Sequence, residues 1–161
     1  PPSGGAALML SGGSDSPVAA YQMAKRGLGL VGVHFASPPY TSPRARAKGE
    51  DLARLLERYT GPLPLYVIPY TKAKEYIRDA LTKQEYFTVM MRRSMMRVTN
   101  AIARREQCDA MVTGESLAQV ASQTLLALAC TDEAQNLPVL RPCIGMDKTE
   151  IVDIARLIDT Y

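Results

Sequence analysis

The stretch that decides the fold reads Leu8-Met9-Leu10-Ser11-Gly12-Gly13-Ser14-Asp15-Ser16-Pro17-Val18. It joins a short apolar run, residues 6–10, to a helical pattern that begins at Pro17, since proline is tolerated in a first helical turn. Paired glycines in such a turn bring backbone N–H groups close to an anion, and the dipole of the following helix adds to the attraction. The stretch therefore predicts a phosphate-binding loop between a buried strand and a helix.

The loop differs from the two commoner glycine-rich phosphate loops. No Lys follows the glycines, as GxxxxGK[ST] requires, and there is no GxGxxG. A carboxylate beside a phosphate is repulsive unless a cation lies between them, so Asp15 indicates a Mg²⁺-linked or loop-ordering group. The alternative is a capping Asp that only closes the turn.

Outward from this loop, apolar runs alternate with helical patterns to the end of the chain. We expect strands at 6–10, 28–35, 65–68, 110–113 and 138–141, and helices at 17–26, 44–59, 72–81, 88–107, 116–129 and 148–158. The strands are continuous apolar runs, which is typical of a sheet covered on both faces. The alternation predicts an α/β fold with a parallel sheet and helices on both faces.

Composition bounds the class of protein. The chain has 161 residues, is 47% hydrophobic and carries a formal net charge of +3, which fits one domain and permits an anionic partner without requiring one. Cys108, Cys130 and Cys143 are odd in number and form no CxxC pair, so neither a disulfide framework nor a zinc site is indicated and a cytoplasmic setting is expected. No membrane-spanning apolar run or signal peptide is present. The chain lacks an initiator Met, so we expect residues 1–161 to be one domain of a longer protein.

Several strings make the chain resemble a known family. SGGxDS between strand one and helix one is the signature of the PP-loop ATP pyrophosphatases, and the whole chain is similar to the tRNA 4-thiouridine synthetase (ThiI) members of that group. The supporting strings are HFASPPYTS at 34–42, MRR and MMR within 91–97, TGESLAQVASQT at 113–124, LRP at 140–142 and MDK with EI within 146–151. Two positions depart from the family: Ser14 stands where Ile is common, and Cys143 where Leu or Val is expected.

The resemblance implies a Rossmann-like sheet of five strands in the order 3-2-1-4-5, of the adenine nucleotide alpha hydrolase type. It implies that ATP, with Mg²⁺, adenylates uridine eight of tRNA and releases pyrophosphate, after which sulfur converts the uridine to 4-thiouridine. The family is also linked to thiamine biosynthesis. Its tRNA binding rests mainly on an N-terminal THUMP region, and its sulfur comes from a cysteine desulfurase or another persulfide donor. That region and a C-terminal tail are absent from this sequence, and the resemblance also allows a homodimer.

The resemblance also assigns site residues, at the switch point where ligands bind in such sheets. Asp15, Ser11 and Ser16 are the expected catalytic residues. The expected nucleotide-binding residues are Met9, Leu10, Gly12, Gly13, Ser14, His34, Phe35, Arg92, Gly114 and Gln123, with Arg93 as the alternative to Arg92 and no dedicated metal ligand. A packing role for His34 is favoured over a general base, and a buried apolar role for Cys143 over a functional thiol.

Two other functions stay open at this point. One is another PP-loop ligase, such as an NAD or GMP synthetase, against which the strings at 34–42 and 113–124 weigh. The other is a nucleotide-binding module without catalysis. Asp15 beside Ser11 and Ser16 favours an active loop over that module.

Overall fold

The computed structural model describes residues 4–39 and 42–161, so Pro1, Pro2 and Ser3 lie outside the described part, as do Tyr40 and Thr41 of the string HFASPPYTS. Five strands form one parallel sheet: β1 (Gly5–Met9), β2 (Gly29–Ala36), β3 (Leu65–Pro69), β4 (Ala110–Val112) and β5 (Val139–Leu140). Their order is β3-β2-β1-β4-β5, which confirms the predicted topology. The chain therefore leaves β1 toward one edge and returns through β4 on its other side.

The described residues form six α-helices: α1 (Asp15–Ala24), α2 (Pro43–Thr60), α3 (Thr71–Ala80), α4 (Phe87–Arg105), α5 (Leu125–Asp132) and α6 (Lys148–Leu157). Helices α1, α2, α4 and α6 pack on the sheet, and α3 and α5 contact α4. Alternate residues of β1 point to opposite faces. Ala6 and Leu8 pack in a core with residues of α1, α2 and α6, whereas Ala7 and Met9 pack in a second core with residues of α4. Because both faces bury apolar side chains, the strands read as continuous apolar runs.

The predicted helix at 116–129 is wrong in its first half. Residues 116–120 are irregular, Ala118 has a positive φ of 60°, and a 3-10 turn at Ala121–Gln123 precedes α5. The side chain of Thr124 accepts a hydrogen bond from the backbone N–H of Ala127, which is the contact of an N-cap. The apolar spacing of this stretch continues through Thr124, so the sequence pattern does not reveal that a helix begins there. The irregular half lies beside the carboxyl end of β4.

The two edges of the sheet are blunt. β5 has only two residues and lies between Pro138 and Pro142, and β3 ends at Pro69.

Within the described part of the chain, no helix has both the length and the apolar character needed to cross a membrane.

Candidate nucleotide-binding site

A cavity of about 460 Å³ opens at the carboxyl ends of β1, β2 and β4, over the switch point. It is lined by Met9, Leu10, Ser11, Gly12, Asp15, Ser16, Val33, His34, Phe35, Ala45, Met91, Arg92, Met95, Thr113, Gly114, Glu115, Ser122 and Gln123. Every residue expected at the site lines this cavity except Gly13 and Ser14. The structure thus brings together residues that are more than a hundred positions apart in the chain.

The loop after β1 is closed by its own serines. The backbone N–H of Ser11 donates to Ser16 Oγ at 2.9 Å, and the two hydroxyl oxygens lie 3.1 Å apart. Ser16 is buried, at the start of α1. These contacts fix the turn at both ends, so Ser11 and Ser16 order the loop in addition to their expected catalytic role.

Gly12 and Gly13 are not required by the backbone conformation of the loop. Neither has a positive φ, and a Cβ on either would meet only ordinary contacts, at 3.9 Å from Ala45 O and 3.7 Å from Ser11 Oγ. The described protein atoms therefore do not require glycine at these two positions. Because Gly12 lines the cavity, the space left by its missing side chain is open to a ligand.

The cation beside Asp15 in this structure is a lysine. Lys148 Nζ, from the first turn of α6, donates to Asp15 Oδ1 at 3.0 Å and to Ser14 Oγ at 3.1 Å. The Ser14 hydroxyl also donates to Asp15 Oδ1 at 3.4 Å. Because the Ser14 hydroxyl is bonded to Asp15 and Lys148, it does not line the cavity as expected. They also give Asp15 a loop-ordering contact.

Gly114 is needed by the protein's own backbone. A Cβ there would lie 2.6 Å from Ser16 N and 2.8 Å from the Asp15 carbonyl carbon, closer than any real contact. The family resemblance implies that Gly114 binds the nucleotide. The structure gives a separate reason for glycine at this position, since the segment after β4 packs directly against the first turn of α1 and any side chain would push the loop away.

His34 is fixed by its surroundings, and it is 6% exposed. Its Nδ1 lies 2.9 Å from Leu10 O, and since a carbonyl only accepts, Nδ1 carries the proton and donates. Its ring lies against Gly49 of α2, where a Cβ would come within 3.3 Å of His34 Cε1. Nε2 has no partner among the described residues, and neither has Gln123 Oε1. Both residues line the cavity, so it holds two buried acceptors open to a donor.

The wall after β4 is ionic. Glu115 accepts from Thr113 Oγ1 at 2.8 Å and from Arg141 Nε at 3.0 Å, and Arg92 Nη2 lies 3.3 Å from its other oxygen. Arg141 also forks onto Asp132 at 2.5 and 3.2 Å. Burial lowers the pKa of Arg141, but its hydrogen bond to Asp132 and the charge of Glu115 outweigh that effect and the pKa is raised overall. The guanidinium is therefore permanently charged in a part-buried site.

Arg92 and Arg93 point to different partners. Arg92 lines the cavity, whereas Arg93 Nη1 bonds the carbonyl oxygen of Cys130 and, at 2.5 Å, Glu133. Arg93 thus fastens α4 to the end of α5. Of the two alternatives, the structure places Arg92 at the site.

Cys143 lies behind the loop with no exposed surface, and its Sγ is 4.0 Å from Asp15 O. Burial, followed by the charge of Asp15, raises the pKa of this thiol to about 11. A protonated, enclosed thiol agrees with the apolar interpretation of this cysteine.

Sequence reasoning missed five residues with polar contacts at the site: Thr113, Glu115, Asp132, Arg141 and Lys148. Thr113, Glu115 and Arg141 fall inside strings singled out for the resemblance, but nothing local to them indicates that they meet. Asp132 carries no sequence signal at all.

The fold, with its SGGSDS loop after β1, is that of an α/β domain of the PP-loop type. The solved NMN synthetase from Francisella tularensis shares this fold, with a TM-score of 0.71 at 17% identity over 100% of this chain and 63% of that one. The likeness at that identity is one of fold alone.

The chain belongs to the ThiI family, described as thiamine biosynthesis protein, whose model matches residues 2–161. A probable tRNA sulfurtransferase from Geobacillus thermodenitrificans is 51% identical over 159 residues, 99% of this chain and 39% of that protein. One from Lachnoclostridium phytofermentans is 48% identical over 158 residues, 98% of this chain and 40% of that protein. A 4-thiouridine synthetase crystallised with RNA and bound ATP matches with a TM-score of 0.95 at 43% identity, over 98% of this chain and 41% of that one. The chain thus spans about two fifths of the relatives it matches.

Proposed function

We propose that this domain binds ATP, cleaves it between the α- and β-phosphates, and adenylates uridine eight of tRNA for conversion to 4-thiouridine. The observation that carries the proposal is the cavity over the switch point, which has the SGGSDS loop on one side and Arg92 on the other. Membership of the ThiI family and the ATP-bound 4-thiouridine synthetase among the similar structures support it.

In the proposed complex, adenine lies against the strand ends Met9–Leu10 and His34–Phe35. The bare acceptors His34 Nε2 and Gln123 Oε1 are suited to donors such as an exocyclic amine or a ribose hydroxyl. The phosphates extend over the loop and the N-terminus of α1, where backbone N–H groups favour an anion. Arg92 faces them across the cavity, and its fixed charge suits the α-phosphate and the departing pyrophosphate.

The reaction then has two steps. The uridine C4 oxygen attacks the α-phosphorus in line while N3 loses its proton to water, the bond to the bridging oxygen breaks, and pyrophosphate leaves with that electron pair. The terminal sulfur of a persulfide next attacks C4, and AMP leaves with the former C4 oxygen. A second thiol then cleaves the S–S bond to the donor, so that a disulfide forms and 4-thiouridine is released. The protein's part is to position the reactants and to stabilise charge with groups such as Arg92 and Lys148.

The site's residues fit a Mg²⁺ ion that ATP itself would largely hold. Among the described residues there is no group of three or more His, Cys, Asp or Glu side chains that could hold a metal ion. Mg²⁺ commonly takes one or two carboxylates and completes its shell with substrate phosphates and water. Asp15, which lines the cavity beside the loop, is the carboxylate suited to that task. A bound Mg²⁺ would neutralise phosphate charge.

The rest of the proposed function depends on partners. Cys108 and Cys143 are buried, which makes them poor sulfur carriers, whereas Cys130 is exposed. The proposed source of the sulfur is a cysteine desulfurase or another persulfide donor. Most of the tRNA contact is made by the THUMP region of the family, and the protein works in the cytoplasm, where tRNA is modified. A homodimer is part of the same proposal.

ATP–pyrophosphate exchange, measured on the native-length protein with a tRNA transcript, tests the proposal. We expect exchange that depends on tRNA and disappears when uridine eight is replaced by cytidine. Exchange that needs a small-molecule oxygen acceptor instead of tRNA would favour an amidating ligase. ATP binding without any exchange would indicate a non-catalytic module, and either result would overturn the proposal.

A further inference from the structure

We propose that Glu115 and Arg141 are positioning residues, which hold Arg92 in the cavity while leaving its charge available to the polyphosphate. The inference rests on the proposed function, since it concerns how that site receives ATP. It assigns a task to a buried carboxylate and a part-buried guanidinium to which the reaction itself gives none.

Glu115 is the centre of the arrangement, with its side chain only 7% exposed. A carboxylate in such a place must be hydrogen-bonded and charge-compensated, or its burial is strongly unfavourable. Both of its oxygens are engaged: Thr113 and Arg141 bond one, and Arg92 lies near the other. Since Glu115 also lines the cavity, its charge would repel a polyphosphate unless another group compensated it.

The contacts around Glu115 are unequal. Arg141 Nε bonds Oε1 at 3.0 Å with good hydrogen-bond geometry, whereas Arg92 approaches Oε2 only at 3.3 Å. Arg141 is also the less exposed of the two guanidinium side chains, at 13% against 23%. Arg141 therefore compensates most of the negative charge of Glu115. Arg92 is oriented by a longer contact with the same carboxylate.

Four charges come together here, two positive and two negative. Arg141 shares its guanidinium between Glu115 and Asp132. Because Arg141 already compensates Glu115, Arg92 is oriented by the carboxylate without being fully neutralised by it. Without Arg141, the buried Glu115 would have Arg92 as its remaining cationic partner, and the cavity would lose the positive charge that faces the phosphates.

The test compares R141Q, E115Q and the double variant in the native-length protein, with R58Q as a control. Arg58 belongs to an exposed ion pair with Asp159, 3.6 Å apart, and does not line the cavity. Equilibrium binding is measured for ATP and for adenosine, which lacks the phosphates. A merely structural defect weakens both ligands, whereas lost positive charge weakens ATP alone.

We expect R141Q to weaken ATP binding about tenfold or more, the scale of one charge-assisted hydrogen bond, while adenosine binding stays within about twofold. Adding E115Q removes the uncompensated carboxylate and should restore most of the lost ATP affinity. E115Q alone should keep ATP affinity but lower the rate of pyrophosphate release, because Arg92 keeps its charge and loses its anchor. R58Q should match the wild type.

The inference is overturned if the double variant binds ATP no better than R141Q, or if ATP and adenosine weaken in parallel. If R141Q does not fold, R141K provides the second arm: it keeps the charge but loses the fork onto Asp132, and the ratio of ATP to adenosine affinity should stay near wild type. A collapse of that ratio in R141K would also refute the inference. A wild-type protein that binds no ATP would instead refute the proposed function.

Discussion

The two walls of the cavity are built in different ways. The loop wall, residues 11–16, is closed mainly by neutral hydrogen bonds between residues five or fewer positions apart, with Lys148 reaching in from α6. The wall after β4 is ionic, and the Glu115 to Arg141 contact at its centre spans 26 positions. The comparison teaches that a phosphate site can combine a locally encoded cradle with a charged wall that exists only once the sheet has formed.

Asp15→Ala tests the loop wall and has the largest expected effect. The change removes the partner of Lys148 and the carboxylate suited to Mg²⁺, so we expect pyrophosphate release to fall at least about a hundredfold, the scale of one lost charge contact in the transition state. Far-UV circular dichroism should be unchanged. The exposed Asp153 on α6 provides the control Asp153→Ala, which should release pyrophosphate normally. Wild-type turnover by Asp15→Ala would show that Asp15 of the loop wall has no role in catalysis.

Gly114→Ala tests how tightly the two walls meet. Its Cβ would need the space of Ser16 N, 2.6 Å away, so we expect a loss of about 1–3 kcal/mol in the free energy of unfolding, as overpacking commonly costs. ATP affinity should fall as well, because the displaced atoms belong to the loop. Gly145→Ala is the matched control, since nothing lies within 4 Å of its Cβ. Urea unfolding and ATP titration of both variants decide the matter, and equal behaviour would show that the walls can move apart freely.

Gly49→Ala tests how the position of the His34 ring affects the loop wall. His34 lies on β2 and bonds Leu10 O, at the start of that wall. Alanine is favoured over glycine in a helix by about 1 kcal/mol, which opposes the crowding of the ring at 3.3 Å. We therefore expect little change in stability but a several-fold loss of ATP affinity. In a His34→Ala background, the same substitution should have no further effect on affinity. Additive losses would mean that Gly49 acts independently of the ring.

Cysteine alkylation has the smallest expected effect. It compares the accessibility of the thiol near the loop wall, Cys143, with that of the thiol near the ionic wall, Cys130. Cys143 is buried behind the loop with a pKa raised to about 11, so it stays protonated from pH 7 to 9, whereas Cys130 beside the ionic wall is exposed. Since the thiolate is the nucleophile, iodoacetamide should label Cys130 first and leave Cys143 until unfolding. Peptide mass spectrometry gives the order. Equal labelling rates in the folded protein would contradict the enclosure of Cys143.

The sequence predicted the strands and the loop wall because both depend on local patterns, whereas the sheet order came from the family resemblance. The apolar runs identified all five strands, and SGGSDS marked the loop at its switch point. The ionic wall was not predicted, because no spacing rule brings Glu115, Arg141 and Asp132 together. The helix predicted from 116 failed for a related reason: its periodicity continues through Thr124, and only the folded structure shows that the hydroxyl caps a new helix there.

The blunt sheet edges have a consequence for how this protein behaves in concentrated solution. An open edge strand presents unpaired N–H and C=O groups to any passing chain and can seed aggregation. Here one edge strand has two residues between Pro138 and Pro142, and the other ends in Pro69. Proline has no N–H to offer, so a foreign strand would find few consecutive donors. We expect self-association of this domain, where it occurs, to use side-chain surfaces rather than extension of the sheet.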